Sequence, residues 1–200
     1  MNAAFRLSSL VAPALWLLVA CATPPDPGDA PVAAGESSFD AANPAIHLAD
    51  PGDNEVVVVI NNNAVLGNHA GLFAGARLSD PAGSYRNVRA ASGDRRPASL
   101  ADYVAYQMVD GPLIRIYRFT LPPSQFAAVV ARLPEADRAM PLFCGAAVHN
   151  AIAGIGPFKG LAATWWTSPA ELARRLDSLI AAPPTEHSVG TCLWPDGRRC

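Results

Sequence analysis

The chain has 200 residues, of which 50% are hydrophobic, and its formal net charge is −2 at pH 7. This length and composition predict one globular domain with a single core and argue against a chain that is disordered throughout. The small net charge gives no electrostatic reason to expect a polyanionic partner, so we expect no binding of nucleic acid.

The first twenty residues predict an export signal. Arg6 supplies a positive charge, and residues 10–20 form an apolar run that is interrupted only by Pro13. That run is about half as long as the roughly 20 residues that a membrane-spanning helix needs. We therefore expect residues 1–20 to be a signal peptide and not a transmembrane helix.

The sequence Leu-Val-Ala-Cys at 18–21 resembles the lipobox of bacterial lipoproteins. The resemblance implies that Cys21 is lipidated, becomes the new N-terminus and attaches the protein to a membrane. The alternative is an ordinary secretory peptide that is cut near Ala20. Because Ala22 and not aspartate follows Cys21, the enterobacterial sorting pattern implies the outer membrane of the cell envelope, with the protein facing the periplasm.

Residues 21–53 predict a tether between the lipid and the domain. Pro, Ala, Gly and Asp dominate the segment, and its charged residues are all acidic. Such a composition buries too little apolar surface to offset the entropy lost on ordering. We therefore expect a flexible spacer, followed by a folded domain over residues 54–200.

The first half of the domain predicts strands. Residues 55–60 are a continuous run that is rich in β-branched side chains, which is typical of a strand buried on both faces. A second strand is predicted over 67–74 and a third over 77–80, with a tight turn between them. Residues 80–85 then predict a loop, and the basic stretch 86–97 predicts an exposed, irregular excursion.

The second half predicts mainly helices. Ser99 with Asp102, and Ser168 with Glu171, have the spacing of residues that cap a helix N-terminus. Between these two helices we expect a strand over 113–119, a helix that begins at 122–123 and a short apolar helix between 141 and 154. Strands early and helices later predict an α+β domain.

Four cysteines in an exported chain raise the question of a disulfide. Cys192 and Cys200 flank a Pro-Asp-Gly turn signal, and an oxidising compartment would preserve a bond between them. Cys144 remains outside this pair and outside the lipidation site. Two interpretations of Cys144 stay open: a functional thiol, or a small buried hydrophobic residue.

Cys144 lies where the short apolar helix is expected to begin. Backbone N–H groups and the helix dipole at such a position stabilise a thiolate, which is the form that attacks a carbonyl carbon. A thiol site also needs a base, and His69 on the second predicted strand is the best candidate. His149 follows Cys144 by five residues on the same helix, so it points about 140° away; we expect it to be capped or partly exposed.

These residues, in the order histidine, polar residue, cysteine, resemble the circularly permuted branch of the NlpC-type papain-like superfamily, which includes the lecithin:retinol acyltransferase-like proteins. The matching features are His69 in a His-x-Gly context, Asp80 eleven positions later and Cys144 at a helix start, over roughly residues 55–160. The sequence departs from the family by having Phe143 before the cysteine, where asparagine is common.

The resemblance implies a papain-like fold and a cysteine-type hydrolase or acyltransferase. Cys144 would be the nucleophile, His69 the base and then the acid, and Asp80 the residue that orients the imidazole. Asp80 could instead cap the Asp-Pro-Ala-Gly turn that it begins. The implied substrates are cell-wall peptides or lipid acyl groups. We find no sequence pattern for a cofactor or a metal site.

Other functions remain possible on sequence grounds. The domain could keep the papain-like fold without catalysis and bind an envelope component, or Cys144 could be a redox-sensing thiol. Trp165 and Trp166 predict packing against the core, with a substrate groove as the alternative.

Overall fold

The computed structural model describes residue 46 and residues 48–140, 142–181 and 190–200. The predicted signal peptide, Cys21 and the first part of the predicted tether lie outside the described residues. Within the described part the chain is a mixed α+β domain with a five-stranded antiparallel sheet and five α-helices. The predicted α+β class is confirmed at this level.

The sheet has the strand order β3-β2-β1-β4-β5. Its strands are β1 (Glu55–Asn61), β2 (His69–Ala74), β3 (Arg77–Ser79), β4 (Ile114–Thr120) and β5 (Gly190–Leu193). The run of β-branched residues forms β1 at the centre of the sheet, where both faces are covered. The predictions of the first four strands are confirmed, with shifts of one or two residues at their ends.

The helices are α1 (Ser84–Ala91), α2 (Leu100–Gln107), α3 (Pro123–Ala136), α4 (Cys144–Ile152) and α5 (Pro169–Ala181), with 3-10 turns at Met108–Asp110 and Gly156–Gly160. Both predicted capping serines are in place. The Asp102 N–H donates to Ser99 Oγ at 3.0 Å, and the Glu171 N–H donates to Ser168 Oγ at 3.1 Å. These caps satisfy N–H groups that have no partner inside their own helices.

Alternation along the strands divides the core into two layers. On one side Val56, Val58 and Ile60 pack with apolar residues of α3, α4 and α5; we call this the three-helix face. On the other side Val57 and Val59 pack with α2 and residues around it; we call this the α2 face. Each strand residue is therefore assigned to a face by its position in the alternation.

The prediction of an irregular excursion over 86–97 is wrong for its first half, because α1 covers Ser84–Ala91. Its one buried residue is Tyr85, whose ring packs against Tyr103 and Tyr106 with centroids 5.2 and 5.1 Å apart. These two ring contacts hold the helix on the α2 face. The sequence lacks the repeated apolar positions that would reveal such a helix.

The last residues of the predicted tether contact the domain. Leu48 is buried in the α2 face, and Asp50 Oδ1 accepts a hydrogen bond from the Leu100 N–H at 2.7 Å. Arg118 donates to the Ala49 carbonyl at 2.8 Å. Residues 48–50 therefore pack with the domain, although the predicted boundary is at residue 54.

The predicted disulfide is present: Cys192 and Cys200 are bonded, with their Cα atoms 5.2 Å apart. Cys192 belongs to β5, and the Pro-Asp-Gly turn returns the chain so that the Cys200 N–H donates to the Cys192 carbonyl at 3.0 Å. The bond fixes the C-terminal end to the sheet. No helix in the described ranges is long and apolar enough to span a bilayer.

Candidate active site

The structure brings His69 and Asp80 together. His69 is the first residue of β2, and Asp80 follows β3, which returns antiparallel beside β2 with Leu72 opposite Ser79. The His69 Nε2 atom lies 2.7 Å from Asp80 Oδ1, and the two side chains are 12% and 1% exposed. A ring N–H on Nε2 donates to the carboxylate, which leaves Nδ1 as the ring nitrogen able to exchange a proton with another group.

Asp80 takes part in the turn and also contacts His69. Its carbonyl accepts the Gly83 N–H at 2.8 Å and closes the predicted turn, while its side chain contacts His69. The carboxylate lies directly over Gly83, since a Cβ there would be 1.6 Å from Oδ2. Oδ2 is buried and has no hydrogen-bond partner among the described residues.

Tyr103 supplies a second donor to the same carboxylate oxygen. Its hydroxyl donates to Asp80 Oδ1 at 2.9 Å, and the side chain is fully buried on the α2 face. Burial raises the pKa of Tyr103 well above its usual value, and the charge of Asp80 raises it further. The hydroxyl therefore stays protonated and able to donate at all physiological pH values.

Cys144 is the first residue of α4 and is fully buried. It takes no part in the disulfide. The preceding turn is unusual, because Leu142 has a φ of 80°, a left-handed conformation that non-glycine residues rarely adopt. Backbone strain of this kind is concentrated at functional sites.

The negative charge of an ionised Cys144 is among the causes that raise the pKa of Tyr103, so the thiol lies within electrostatic range of the Tyr103 hydroxyl. That hydroxyl contacts Asp80, which in turn contacts His69. The thiol of Cys144 and the His69–Asp80 pair thus both lie in the neighbourhood of the Tyr103 hydroxyl. The catalytic roles of these residues remain predictions.

His69 and the helix that carries Cys144 lie on different faces of the sheet. His69 alternates with Ala70, so it belongs to the α2 face, whereas α4 packs Val148 and Ile152 on the three-helix face. β3 pairs with Leu72, Phe73 and Ala74, which leaves the beginning of β2 at an open edge of the sheet. α4 also contacts β2, the strand that begins with His69.

Residues 162–168, which we call the cover segment, lie over the first turn of α4. A Cβ on Gly145 would be 2.3 Å from the Thr167 carbonyl oxygen. Asn150 holds the segment by donating to the Thr164 carbonyl at 2.7 Å and accepting the Thr164 N–H at 2.9 Å. The Phe143 and Trp166 rings also meet edge to face, with centroids 5.9 Å apart.

The expectation that Trp165 and Trp166 pack in the core is wrong, because they are 82% and 40% exposed. They belong to the cover segment, which is held by the two hydrogen bonds between Asn150 and Thr164 and by the ring contact of Trp166 with Phe143. Trp165 lines a pocket of about 240 Å³ together with Phe143, Ala147 and residues of α3. The alternative prediction, a substrate groove, is compatible with this placement.

The expectation that His149 is partly exposed is also wrong. This residue is fully buried, and its Nε2 lies 2.7 Å from the Ala162 carbonyl oxygen, to which it donates. Burial lowers the pKa of His149. The cover segment begins at this contact and accounts for the burial of a histidine that sequence reasoning placed near solvent.

Tyr103 is the site residue that sequence reasoning missed. Its position in α2 marks it as a core aromatic, and nothing in the local sequence points to a carboxylate partner twenty-three residues away. Gly71, in the His-x-Gly pattern around His69, was the available signal, because it leaves the space that the Tyr103 hydroxyl occupies.

No three His, Cys, Asp or Glu side chains of the described residues gather so that they could hold a metal ion. In comparisons with known proteins, no family model, no curated protein and no solved structure matches the chain.

Proposed function

We propose that the chain is a cysteine-type hydrolase or acyltransferase that acts on an amide or ester carbonyl, with a permuted NlpC-type papain-like fold. Cys144 is the nucleophile, His69 the base and then the acid, and Asp80 the residue that orients the imidazole. The observation that carries the proposal is the partly buried 2.7 Å contact between His69 Nε2 and Asp80 Oδ1. A carboxylate that fixes one ring nitrogen of a histidine is the arrangement that a thiol site requires.

The chemistry follows from these roles. His69 takes the thiol proton, and the Cys144 sulfur forms a bond to the carbonyl carbon. First-turn N–H groups of α4 can stabilise the oxyanion that results. The bond to the leaving amine or alcohol then breaks as His69 returns the proton to it. Water or another hydroxyl or amine, deprotonated by His69, attacks the thioester, which releases the acyl product and restores the thiol.

The cellular setting of the proposal comes from the N-terminal sequence. Lipidation at Cys21 would attach the enzyme to the bacterial outer membrane, facing the periplasm. Peptidoglycan peptides are the substrate that this location favours slightly, and lipid acyl groups are the other class. The acidic segment between the lipid and residue 46 would give the domain some reach from the bilayer.

A second candidate function is a non-catalytic envelope protein that keeps this fold and binds a wall component or a partner. The observation that favours it is the complete burial of Cys144, next to Gly145, which lies against the cover segment. A buried thiol in an inert protein behaves as a small hydrophobic residue. This candidate predicts a thiol that does not react.

Thiol labelling separates the two candidates. The full chain, with its disulfide intact, is treated with iodoacetamide between pH 6 and pH 8, and the modified cysteine is mapped by peptide mass spectrometry. If the protein is the proposed enzyme, we expect rapid labelling of Cys144 at pH 6 and no such labelling in His69→Ala. The matched control is His149→Gln, which alters the other histidine of the described residues while keeping a donor for Ala162.

A Cys144 that stays unlabelled up to pH 8 would contradict the enzyme and support the binding protein. If labelling behaves as the enzyme predicts, the substrate class is tested with muropeptides and with phospholipid vesicles. Product formation that is absent in Cys144→Ala identifies the class.

A further inference from the structure

We infer that Tyr103 is a positioning residue of this site: its hydroxyl fixes the Asp80 carboxylate so that Oδ1 faces His69. The inference rests on the proposed function, because it concerns how that site is held. Asp80 lies at the end of the short strand β3, and a hairpin alone would let its carboxylate rotate. The contact from α2 supplies the missing constraint.

Two donors converge on one oxygen. Oδ1 receives the His69 N–H at 2.7 Å and the Tyr103 O–H at 2.9 Å, while Oδ2 is packed against the backbone of Gly83. The three contacts come from β2, from α2 and from the turn after β3. Since these elements hold the carboxylate from three sides, the imidazole has a fixed partner before any substrate arrives.

Tyr103 is itself held rigidly. Its ring meets those of Phe73 and Tyr85 nearly edge to face, with centroids 5.6 and 5.2 Å apart. Gly71 provides the space for the hydroxyl on the α2 face. A side chain that is fully buried and packed on several sides needs no reorganisation to hold its hydrogen bond.

The neighbouring Tyr85 gives a matched comparison. It packs in the same aromatic cluster and is buried, and in the described part of the chain its hydroxyl donates to no acceptor. Removing the oxygen of either tyrosine changes the cluster by one atom. Only the change at Tyr103 removes a contact to the His69–Asp80 pair.

The test is the pH profile of Cys144 alkylation by iodoacetamide in the full chain, compared among wild type, Tyr103→Phe and Tyr85→Phe. We expect Tyr103→Phe to slow labelling at pH 6 by about tenfold, the effect of one hydrogen bond to a charged group. At pH 9 the thiolate forms without help, so the same variant should stay within about twofold of wild type. Tyr85→Phe should stay within about twofold at both pH values.

A Tyr103→Phe profile that superimposes on the wild-type profile would overturn the inference and leave the proposed function standing. A wild-type Cys144 whose labelling does not depend on His69 would overturn both. Melting temperatures are measured for the same proteins. If Tyr103 has only a structural role, Tyr103→Phe lowers the melting temperature without changing the shape of the pH profile of Cys144 labelling.

If Tyr103→Phe fails to fold, replacement of Tyr103 by 3-fluorotyrosine keeps the ring and makes the hydroxyl a stronger donor. The readout is then the imidazole N–H resonance of His69 in the ¹⁵N-histidine-labelled full chain. We expect that resonance to move with fluorine at position 103 and to stay in place with fluorine at position 85. No movement at position 103 would equally overturn the inference.

Discussion

Tyr103 occupies the space that a side chain on Gly71 would need: a Cβ built on Gly71 would lie 2.1 Å from the Tyr103 hydroxyl oxygen and 2.7 Å from the ring carbon that bears it. Neither group can move easily, because Gly71 is in β2 and Tyr103 is fully buried. The two residues therefore fit together only while position 71 has no side chain.

The first prediction concerns this fit. Gly71→Ala should lower the free energy of unfolding by about 1 to 3 kcal/mol, because an extra methyl group in a packed interior forces its neighbours to shift. It should also slow Cys144 labelling at pH 6, since the hydroxyl is pushed away from Asp80. Urea denaturation measures the first effect and alkylation the second. Gly160→Ala, where a Cβ meets nothing within 4 Å, is the control.

The second prediction concerns Asp80. Asp80→Asn keeps the size of the side chain but removes the charge that orients and stabilises a protonated His69, so labelling of Cys144 at pH 6 should fall by at least about tenfold. Asp137→Asn, which changes a carboxylate that accepts a hydrogen bond at 2.7 Å from Ser79, the residue before Asp80, should have little effect. Equal rates in wild type and Asp80→Asn would remove Asp80 from the site.

The third prediction concerns the cover segment. Asn150→Ala removes both hydrogen bonds to Thr164, so the segment should open more often over the first turn of α4. We expect Cys144 labelling to become faster by about fivefold or more, which corresponds to the loss of roughly 1 kcal/mol. Asn87→Ala, on the exposed side of α1, is the control. An unchanged rate would mean that the segment does not limit access to the thiol.

The fourth prediction concerns pH. Because burial lowers the pKa of His149, the unfolded chain takes up a proton at this residue at a higher pH than the folded chain does. The stability from neutral His149 is therefore fully present above the unfolded pKa of about 6.5 and is lost as the pH falls from there towards the folded value.

His149→Gln should flatten this dependence between pH 7 and pH 5, where one proton corresponds to at most about 1.4 kcal/mol per pH unit. The measurement is urea unfolding of wild type and variant at several pH values. Parallel curves in this range would show that His149 does not titrate on unfolding.

The fifth prediction concerns the disulfide. Cys192 and Cys200 are eight positions apart, so the bond closes a short loop. Cys200→Ser should lower the free energy of unfolding by about 2 kcal/mol, less than a bond around a long loop contributes. Reductant should destabilise wild type by a similar amount and leave Cys200→Ser unchanged, which separates loss of the bond from an effect of the serine.

Local signals predicted much of the fold. The apolar run of β1 indicated burial on both faces, and the serines at 99 and 168 marked two helix starts, because each signal depends on near neighbours in the chain. The helix α1 was missed because Tyr85 is its only buried residue, so its sequence has no repeated apolar positions. A helix that buries a single side chain has no apolar periodicity by which its sequence could reveal it.

The candidate site was predictable where spacing and strand pairing determined it. The hairpin of β2 and β3 brings His69 and Asp80, which are eleven positions apart in the sequence, within hydrogen-bond distance of each other. Tyr103 was not predictable, because its contact depends on how α2 packs across the sheet and on the space left by Gly71. The exposure of Trp165 likewise depends on polar anchors elsewhere in the cover segment.

The hydrogen bond from the Leu100 N–H to Asp50 has a mechanical consequence. It joins the segment that leads in from the N-terminal side to the first residue of α2, the helix that carries Tyr103 three residues later. Tension applied through that segment would act directly on α2. It would also act on β4, because Arg118 donates a hydrogen bond to the Ala49 carbonyl. A change in the direction of the force on the domain would thus act on α2, the helix whose Tyr103 contacts the Asp80 carboxylate.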